Sequence, residues 1–527
     1  MEEIRKKQEE GNDGGKSIGA MGSVVITMNN MLGPGMLGLS LVFQQAGWLP
    51  TMGVLLAAWV AASFAATMIC EAMARVPGNG RFGRGLEYAT LVRHYWGDKA
   101  MWATQGFYVF SLQVLNIASI IVTAQVMDSF IVFLFGSSYA LEVAPDVRFI
   151  DTSNLDMFPF EDTKLVFSLG YLCALIIVMP AGFLDLDDNI FLQFASWAVC
   201  FCSVAAFTVQ FAFQGISLDR VPMIGPDLYH AIGLLLFGFA FIVTIPSWVN
   251  VKLDGVSVNA TIWASTAFTG SIFVYFGLMA AWSYSGIQTA NVLTEMASAD
   301  GALASTQVFV FLFTFFEIGL GIPLFSIYIR QNLASSGICR HSWAAFWGTA
   351  FPWLVGWLFM QGDAFTVFEN WTSLLINGGI NFVLPFIIFI YARKTSFADS
   401  SPGPSSASSL LSAAAAVSNY SSLSSLKLQP LSSSSKTTTT TSSSSSSTAS
   451  VSKTPTSSAL LPVHHFDIQQ AAAAEEAEGE DLLFIHQAIP LCSSSPRCPS
   501  IIAGLLAGLM TCILIIAIVL NIVALAI

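Results

Sequence analysis

Asn29-Asn30-Met31-Leu32-Gly33-Pro34-Gly35-Met36-Leu37-Gly38 is the stretch on which the reading of the whole chain turns. It lies inside an apolar segment running from about Gly22 to Ala46, long enough to cross a bilayer. A helix does not run smoothly through two glycines around a proline. The proline removes a backbone donor, and the glycines lower the cost of non-helical angles. Unwound backbone at bilayer depth survives only where it is buried in protein or lines a wet cavity. The groups freed at two half-helix ends suit a carboxylate and an ammonium or other cation. The same residues also make a proline kink that holds nothing, and the stretch alone does not choose between the two.

Working outward, the 527 residues are 54% hydrophobic and only 10% charged, where a soluble domain carries roughly 25% charged residues. This is the composition of an all-α polytopic membrane protein. Apolar runs predict eleven spans, at about 22–46, 51–74, 101–136, 164–183, 190–215, 229–250, 261–284, 304–329, 342–360, 367–392 and 501–527. The expected organisation is an N-terminal tail (1–20), a ten-helix core (21–394), a Ser/Thr-rich linker (395–499) and an eleventh span (500–527). The linker holds too little apolar side chain to offset its ordering entropy, and it reads as disordered. Within it, Glu478-Gly479-Glu480-Asp481-Leu482-Leu483 fits an acidic dileucine pattern of the kind bound by sorting adaptors.

Basic residues orient the spans. With the N-terminus inside, the inner segments collect Arg5, Lys6, Lys7, Lys16, Arg75, Arg81, Arg84, Arg93, Lys99, Lys252, Arg330, Arg340, Arg393, Lys394 and Arg497. The outer ones keep only Arg148, Lys164 and Arg220. Such a bias puts the N-terminus in the cytoplasm. The net charge of −12 and the lack of a basic patch give no sign of a nucleic-acid partner, and the surroundings expected are membrane lipid. The eight cysteines show no metal-ligand spacing, so no metal or other resident cofactor is expected. Gly78-Asn79-Gly80-Arg81-Phe82-Gly83 matches a dinucleotide fingerprint literally but follows an apolar span instead of a strand, so that reading fails. With no Walker A, G-x-S-x-G or H-E-x-x-H pattern, nothing in the chain speaks for an enzyme.

A second interruption is expected near Thr244-Ile245-Pro246 in span 6. It occupies the place in spans 6–10 that Gly33-Pro34-Gly35 occupies in spans 1–5. Paired breaks of this sort point to an inverted 5+5 repeat with a binding site at the midplane, although two kinks can also pair by chance. Glu317 falls near the centre of span 8, too deep to reach the surface. It must pair, bind a cation, stay protonated or hydrogen-bond a neighbouring helix as a neutral acid.

With these residues in view, the chain resembles the amino acid/auxin permease family, within the group sharing the bacterial leucine transporter fold. The run Asn30-x-x-Gly33-x-Gly35-x-Leu37-Gly38-Leu39 followed by Gln45-Ala46-Gly47 is similar to that family's first-span signature. So are Arg75-Val76-Pro77-Gly78-Asn79 through Tyr95-Trp96-Gly97, Ile245-Pro246-Ser247-Trp248-Val249-Asn250, and Ile322-Pro323-Leu324-Phe325-Ser326-Ile327 to Leu333. The resemblance implies alternating-access symport of small neutral amino acids at the plasma membrane or a vacuolar or endosomal membrane. It implies substrate held by Asn30, Gly33, Pro34, Gly35 and Leu37, opposite Phe241 and Thr244; Glu317, from its depth in span 8, and Asn29 are the candidates for ion or proton coupling. Ser40 stands where many members carry proline. Sodium-coupled relatives supply a span 8 hydroxyl just before the proline, whereas Gly319-Leu320-Gly321-Ile322-Pro323 has none. That tilts the coupling ion towards H+. Sodium coupling and an amino-acid-sensing receptor on the same fold are the open alternatives.

Overall fold

The computed structural model describes residues 16–144, 146–151, 165–226, 228–287, 291–299, 301–360, 368, 371–399 and 498–526. The tail before Lys16 and most of the expected linker, with Glu478, Leu482 and Leu483, lie outside the described residues. The chain divides into one unit of Met1–Lys394 with Ala477–Ile527 and a second of Thr395–Glu476. The elements below belong to the first, apart from the last turn of α17.

The first apolar segment is broken into α1 (Ala20–Asn29), α2 (Pro34–Leu37) and α3 (Leu39–Ala46). There follow α4 (Trp48–Ala74), the short α5 (Tyr88–Trp96) and α6 (Asp98–Phe135). Three strands come next, β1 (Tyr139–Ala144), β2 (Arg148–Asp151) and β3 (Leu165–Ser168), then α7 (Leu169–Val178) and α8 (Leu186–Gln214). The sixth segment is α9 (Leu228–Gly238) and α10 (Ile245–Val251), joined through a 3-10 turn at Ile242–Thr244. After it come α11 (Val258–Ser283), α12 (Val292–Ser298), α13 (Ala304–Phe313) and α14 (Gly321–Ser335). The chain continues through α15 (His341–Ala345), α16 (Phe351–Leu358), α17 (Leu384–Asp399) and α18 (Cys498–Ala526). Three π-helical stretches, Thr314–Gly319, Phe346–Ala350 and Ser373–Val383, join or precede these last helices.

Among the described residues, eight stretches are long and apolar enough to cross a membrane. Three of the eleven expected spans take other forms: α1–α3 is interrupted, α7 ends in a 3-10 turn at Phe183, and α15–α16 is split by π-helix. Packing explains why these helices approach closely. α4 turns Ala58, Ala61, Ala62, Ala65 and Ala66 inward, all essentially buried, so that α11, α9 and α3 lie close against its backbone. Ser63 and Trp59 of α4 both reach the Thr266 hydroxyl of α11, at 2.8 and 3.1 Å.

Two expectations need correction. The connection left between the expected spans 101–136 and 164–183 carries β1 and β2, and β3 overlaps the expected start of the second, so the fold is mostly but not entirely helical. The sheet is antiparallel in the order β2-β1-β3. Its alternating residues bury Ala140 and Val166, and Glu142 is buried beside Arg148 of β2. Asp128 near the end of α6 pins the sheet's edge, accepting from the Ser138 hydroxyl at 2.9 Å, the Gly170 backbone N–H at 2.7 Å and Ser168.

The second correction concerns the sixth segment, where the break runs over residues 239–244 and so begins a few residues before the expected Thr244-Ile245-Pro246. α9 stops at Gly238, the chain turns through Phe239–Phe241, and Pro246 sits within the first turn of α10. Proline's missing N–H costs nothing in a helix's first turn, so it marks where a half-helix starts, a few residues after the interruption.

Candidate functional site

α1 closes with the N–H groups of Met31 and Leu32 on the Met28 carbonyl, both at 2.9 Å. The chain then passes through an extended Gly33 (φ −145°, ψ −155°) into α2, with Pro34 as its first residue. A Cβ placed on Gly33 would meet no protein atom within 4 Å. A Cβ on Gly35 would stand 3.0 Å from both N and Cα of Gly238, at the last residue of α9, and 3.1 Å from Phe237. The two glycines of the signature therefore do different jobs. Gly35 lets the backbone of the first segment lie on that of the sixth, and Gly33 borders open space.

The breaks are joined directly. The Asn30 amide donates to the Thr244 hydroxyl at 3.0 Å and to the Tyr328 hydroxyl of α14 at 3.1 Å. Thr244 in turn donates to the Phe241 carbonyl at 2.7 Å, and the Asn381 side-chain oxygen takes the Val243 N–H at 3.1 Å. Phe241 and Thr244 are buried, and Phe239 stacks edge-on to Phe273 at 5.5 Å. Leu37 is also buried and belongs to the apolar core beside the break.

One residue earlier, Asn29 faces the other way. Its amide donates to both the backbone and the side-chain oxygen of Gln193 on α8, each at 2.9 Å. Gln193 passes its own N–H groups to Asn189 at 2.6 Å and to the Leu320 carbonyl, at the joint before α14, at 3.3 Å. One turn along α8, Ser196 donates to the Glu317 carboxylate in the π-helical stretch. Wide turns of this kind recur at functional positions in helices. A polar stripe on α8 thus links the first break to Glu317. Among the described residues, one carboxylate oxygen of Glu317 and the side-chain oxygens of Asn29 and Asn30 have no hydrogen-bond partner. These three buried acceptors could take a proton or a ligand's N–H groups.

On the side where α10 ends, the break is underpinned by Glu87. Its carboxylate accepts from the Ser247 hydroxyl at 2.6 Å and from Asn250 at 3.2 Å, while its own backbone N–H is capped by Thr90. Tyr108 of α6 and Tyr328 of α14 also stand near it. Glu87 lies between the spanning helices α4 and α6, and burial pushes its carboxyl up to about 7 against the opposing pull of the Ser247 and Asn250 hydrogen bonds. Beside it, residues 17 and 18 lie against the end of α10. The N–H groups of Ser17 and Ile18 reach the Val251 carbonyl, the Leu253 N–H reaches Ile18, and Lys16 pairs with Asp254.

Residues 16–360 match the sequence profile described as transmembrane amino acid transporter protein. The chain belongs to that family. No curated protein matches it. Among solved structures it is similar to Mhp1, described as a nucleobase-cation-symport-1 family transporter in a closed conformation with bromovinylhydantoin bound. That likeness has 13% identity and a TM-score of 0.51, covering 71% of this chain and 78% of the other. At that identity it is a likeness of fold. The amino acid transporter family and the transporter fold make this a multi-pass membrane transporter and not an enzyme.

Within this transporter, sequence reasoning singled out Asn30, Gly33, Pro34, Gly35, Phe241 and Thr244, and the structure brings them to one locality, with Leu37 in the core beside it. It brings Asn29 and Glu317 to α8 instead of to each other. Tyr328, Gln193, Ser196 and Asn381 escaped notice. Polar residues inside the apolar runs at Gln193 and Ser196, three apart and so on one helix face, were the available signal.

Proposed function

We propose that the chain is a proton-coupled symporter that carries small neutral amino acids by alternating access. It would use eleven spans, ten of them in an inverted 5+5 arrangement, with the N-terminus in the cytoplasm. The observation that carries this reading is the contact between two helix breaks, Asn30 to Thr244, with open space at Gly33 beside it. A zwitterion there would meet backbone groups of both breaks and the free oxygen of Asn30, whose acceptor character suits an ammonium. Asn30, Gly33, Pro34, Gly35, Phe241 and Thr244 form the binding locality, and Leu37 supports it. The family's name supplies the amino acid, and the apolar surroundings of the breaks, with Phe237, Phe239 and Phe241 buried there, favour a neutral side chain.

Protons are preferred over sodium for a reason visible in the α8 stripe. The joint before α14 offers the Leu320 carbonyl to the amide N–H of Gln193, a neutral donor where a sodium ion would need another oxygen. Glu317 then remains as a buried ionisable group on the α8 stripe that leads from the first break, with Asn29, Gln193 and Ser196 along it.

The test is uptake into proteoliposomes under an inward proton gradient, an inward sodium gradient, or neither, with wild type and Glu317→Gln. Proton-driven uptake that the substitution abolishes is the expected result. Sodium-driven uptake indifferent to the substitution would overturn the coupling assignment, and absence of flux for every amino acid would favour a sensing receptor.

A further inference from the structure

Away from the breaks, a cavity of about 530 Å3 opens between α6 and α16, where neither helix contributes to the proposed substrate site. Small-molecule sites run from roughly 300 to 1,000 Å3. Its walls are apolar: Trp102 and Phe110 of α6 face Trp347, Phe351, Val355 and Phe359. Several of the wall aromatics are partly exposed, Trp102 at 56% and Phe359 at 40%, on a face that a membrane would cover with lipid.

Two amides interrupt this lining, Gln105 and Gln113, and among the described residues the first has no protein partner at either end. Gln105 is only 3% exposed, and among the described residues neither its amide nitrogen nor its oxygen has a hydrogen-bond partner. Leaving both ends of a buried amide unpaired in apolar surroundings is costly, and a cavity ligand that both donates and accepts would satisfy them. Gln113, two turns along the same face, spends its amide N–H on the Trp347 carbonyl at 2.5 Å and keeps a free oxygen.

The occupant is constrained on three sides. It comes from the membrane, since the opening faces lipid. It is apolar along most of its length, since α6 borders the cavity from Trp102 to Ile117, about 22 Å at 1.5 Å per residue. It carries one small group that both donates and accepts, which is what a hydroxyl does and a charged headgroup does not. Gln105 lies seven residues from the polar start of α6 at Asp98, about 10 Å along the helix, near the depth where such a hydroxyl meets the interface. We propose that this cavity binds a membrane sterol, its hydroxyl on Gln105 and its rigid rings between Phe110 and Phe351.

The test uses the full chain in phosphatidylcholine nanodiscs containing a diazirine-bearing cholesterol. Photolysis is expected to label peptides covering 102–117 or 347–359, and tenfold excess cholesterol to suppress that labelling several-fold. Cholesterol methyl ether, which cannot donate, should compete about tenfold less well, and Gln105→Leu should erase that difference. Gly106→Leu should cut labelling at least several-fold, because a Cβ at Gly106 finds no protein atom within 4 Å and the added side chain fills the cavity. If Gly106→Leu does not fold, Val355→Trp fills the space from the opposite wall. Undiminished labelling in the filled variant, or equal competition by the methyl ether in wild type, overturns the proposal. So does labelling of these peptides by a diazirine acyl-chain phospholipid that cholesterol fails to displace.

Discussion

The breaks in the first and sixth segments look alike in function and unlike in construction. The first is made by glycine and proline at the interruption itself, with Gly33 extended and Pro34 opening α2. The sixth turns through Phe239, Ala240 and Phe241 directly after Gly238, with no proline at the turn itself, and its proline lies several residues on. One break is encoded locally; the other is imposed by what packs against it. Gly238 meets Gly35 across the gap, Phe239 is pinned by Phe273, and Asn381 holds the Val243 N–H. A transporter can therefore carry two matched half-helix ends of which only one is written in its own segment.

The comparison breaks most sharply at the glycine contact. Gly35→Val would force the two backbones apart, so uptake should fall roughly 100-fold or more while the protein still reaches the membrane. Normal uptake would mean the two breaks do not work as a unit. Next in size, Glu317→Gln should abolish concentrative, proton-driven uptake and leave exchange of substrate across the membrane intact, as counterflow would reveal. Gly33→Ala offers the contrast within one signature. Nothing in the fold obstructs its Cβ, so the melting temperature should move by no more than about 2 °C. KM should nevertheless rise about tenfold, because the methyl group occupies substrate space. A smaller effect is expected for the link between the breaks. Asn30→Ala and Thr244→Val in a double-mutant cycle of uptake should show a coupling of roughly 0.5–3 kcal/mol.

The least effect on transport, and a clear one on stability, is expected at Glu87. Its folded carboxyl sits at about 7 against an ordinary 4.5. The folded state therefore holds a proton that the unfolded chain has already released between those values, and this group's contribution to stability declines as pH rises through that window. Glu87→Gln removes the titration. Relative to wild type it should gain roughly 1–3 kcal/mol between pH 5 and pH 8, read as the difference between two unfolding curves. A gap constant with pH would show that Glu87 is not buried as described.

Much of this was legible beforehand, and the reasons are physical. The spans could be read because apolar length is a signal that packing cannot reverse; Trp48–Ala74 and Asp98–Phe135 fall within three residues of expectation. The first break was legible because Gly-Pro-Gly carries its own backbone preference. The sixth was misplaced because Pro246 reports a helix start, while Phe239–Phe241 owe their turn to neighbours remote in sequence. The same limit hid Tyr328. A tyrosine in a buried helix looks like any core aromatic until Asn30, nearly three hundred residues earlier, is seen to donate to its hydroxyl. The sheet was hidden because its strands are only four to six residues long, too short for their alternation to stand out from the neighbouring apolar runs.

The bonds joining residues 17 and 18 to residues 251 and 253 carry a practical consequence. They tie the entrance of the first segment to the exit of the sixth, so any state in which those ends separate must release them together. The amides of Ile18 and Leu253 are shielded only while the ends are joined. Their deuterium uptake therefore counts the separated population directly, and adding substrate would change the count without any label on the protein.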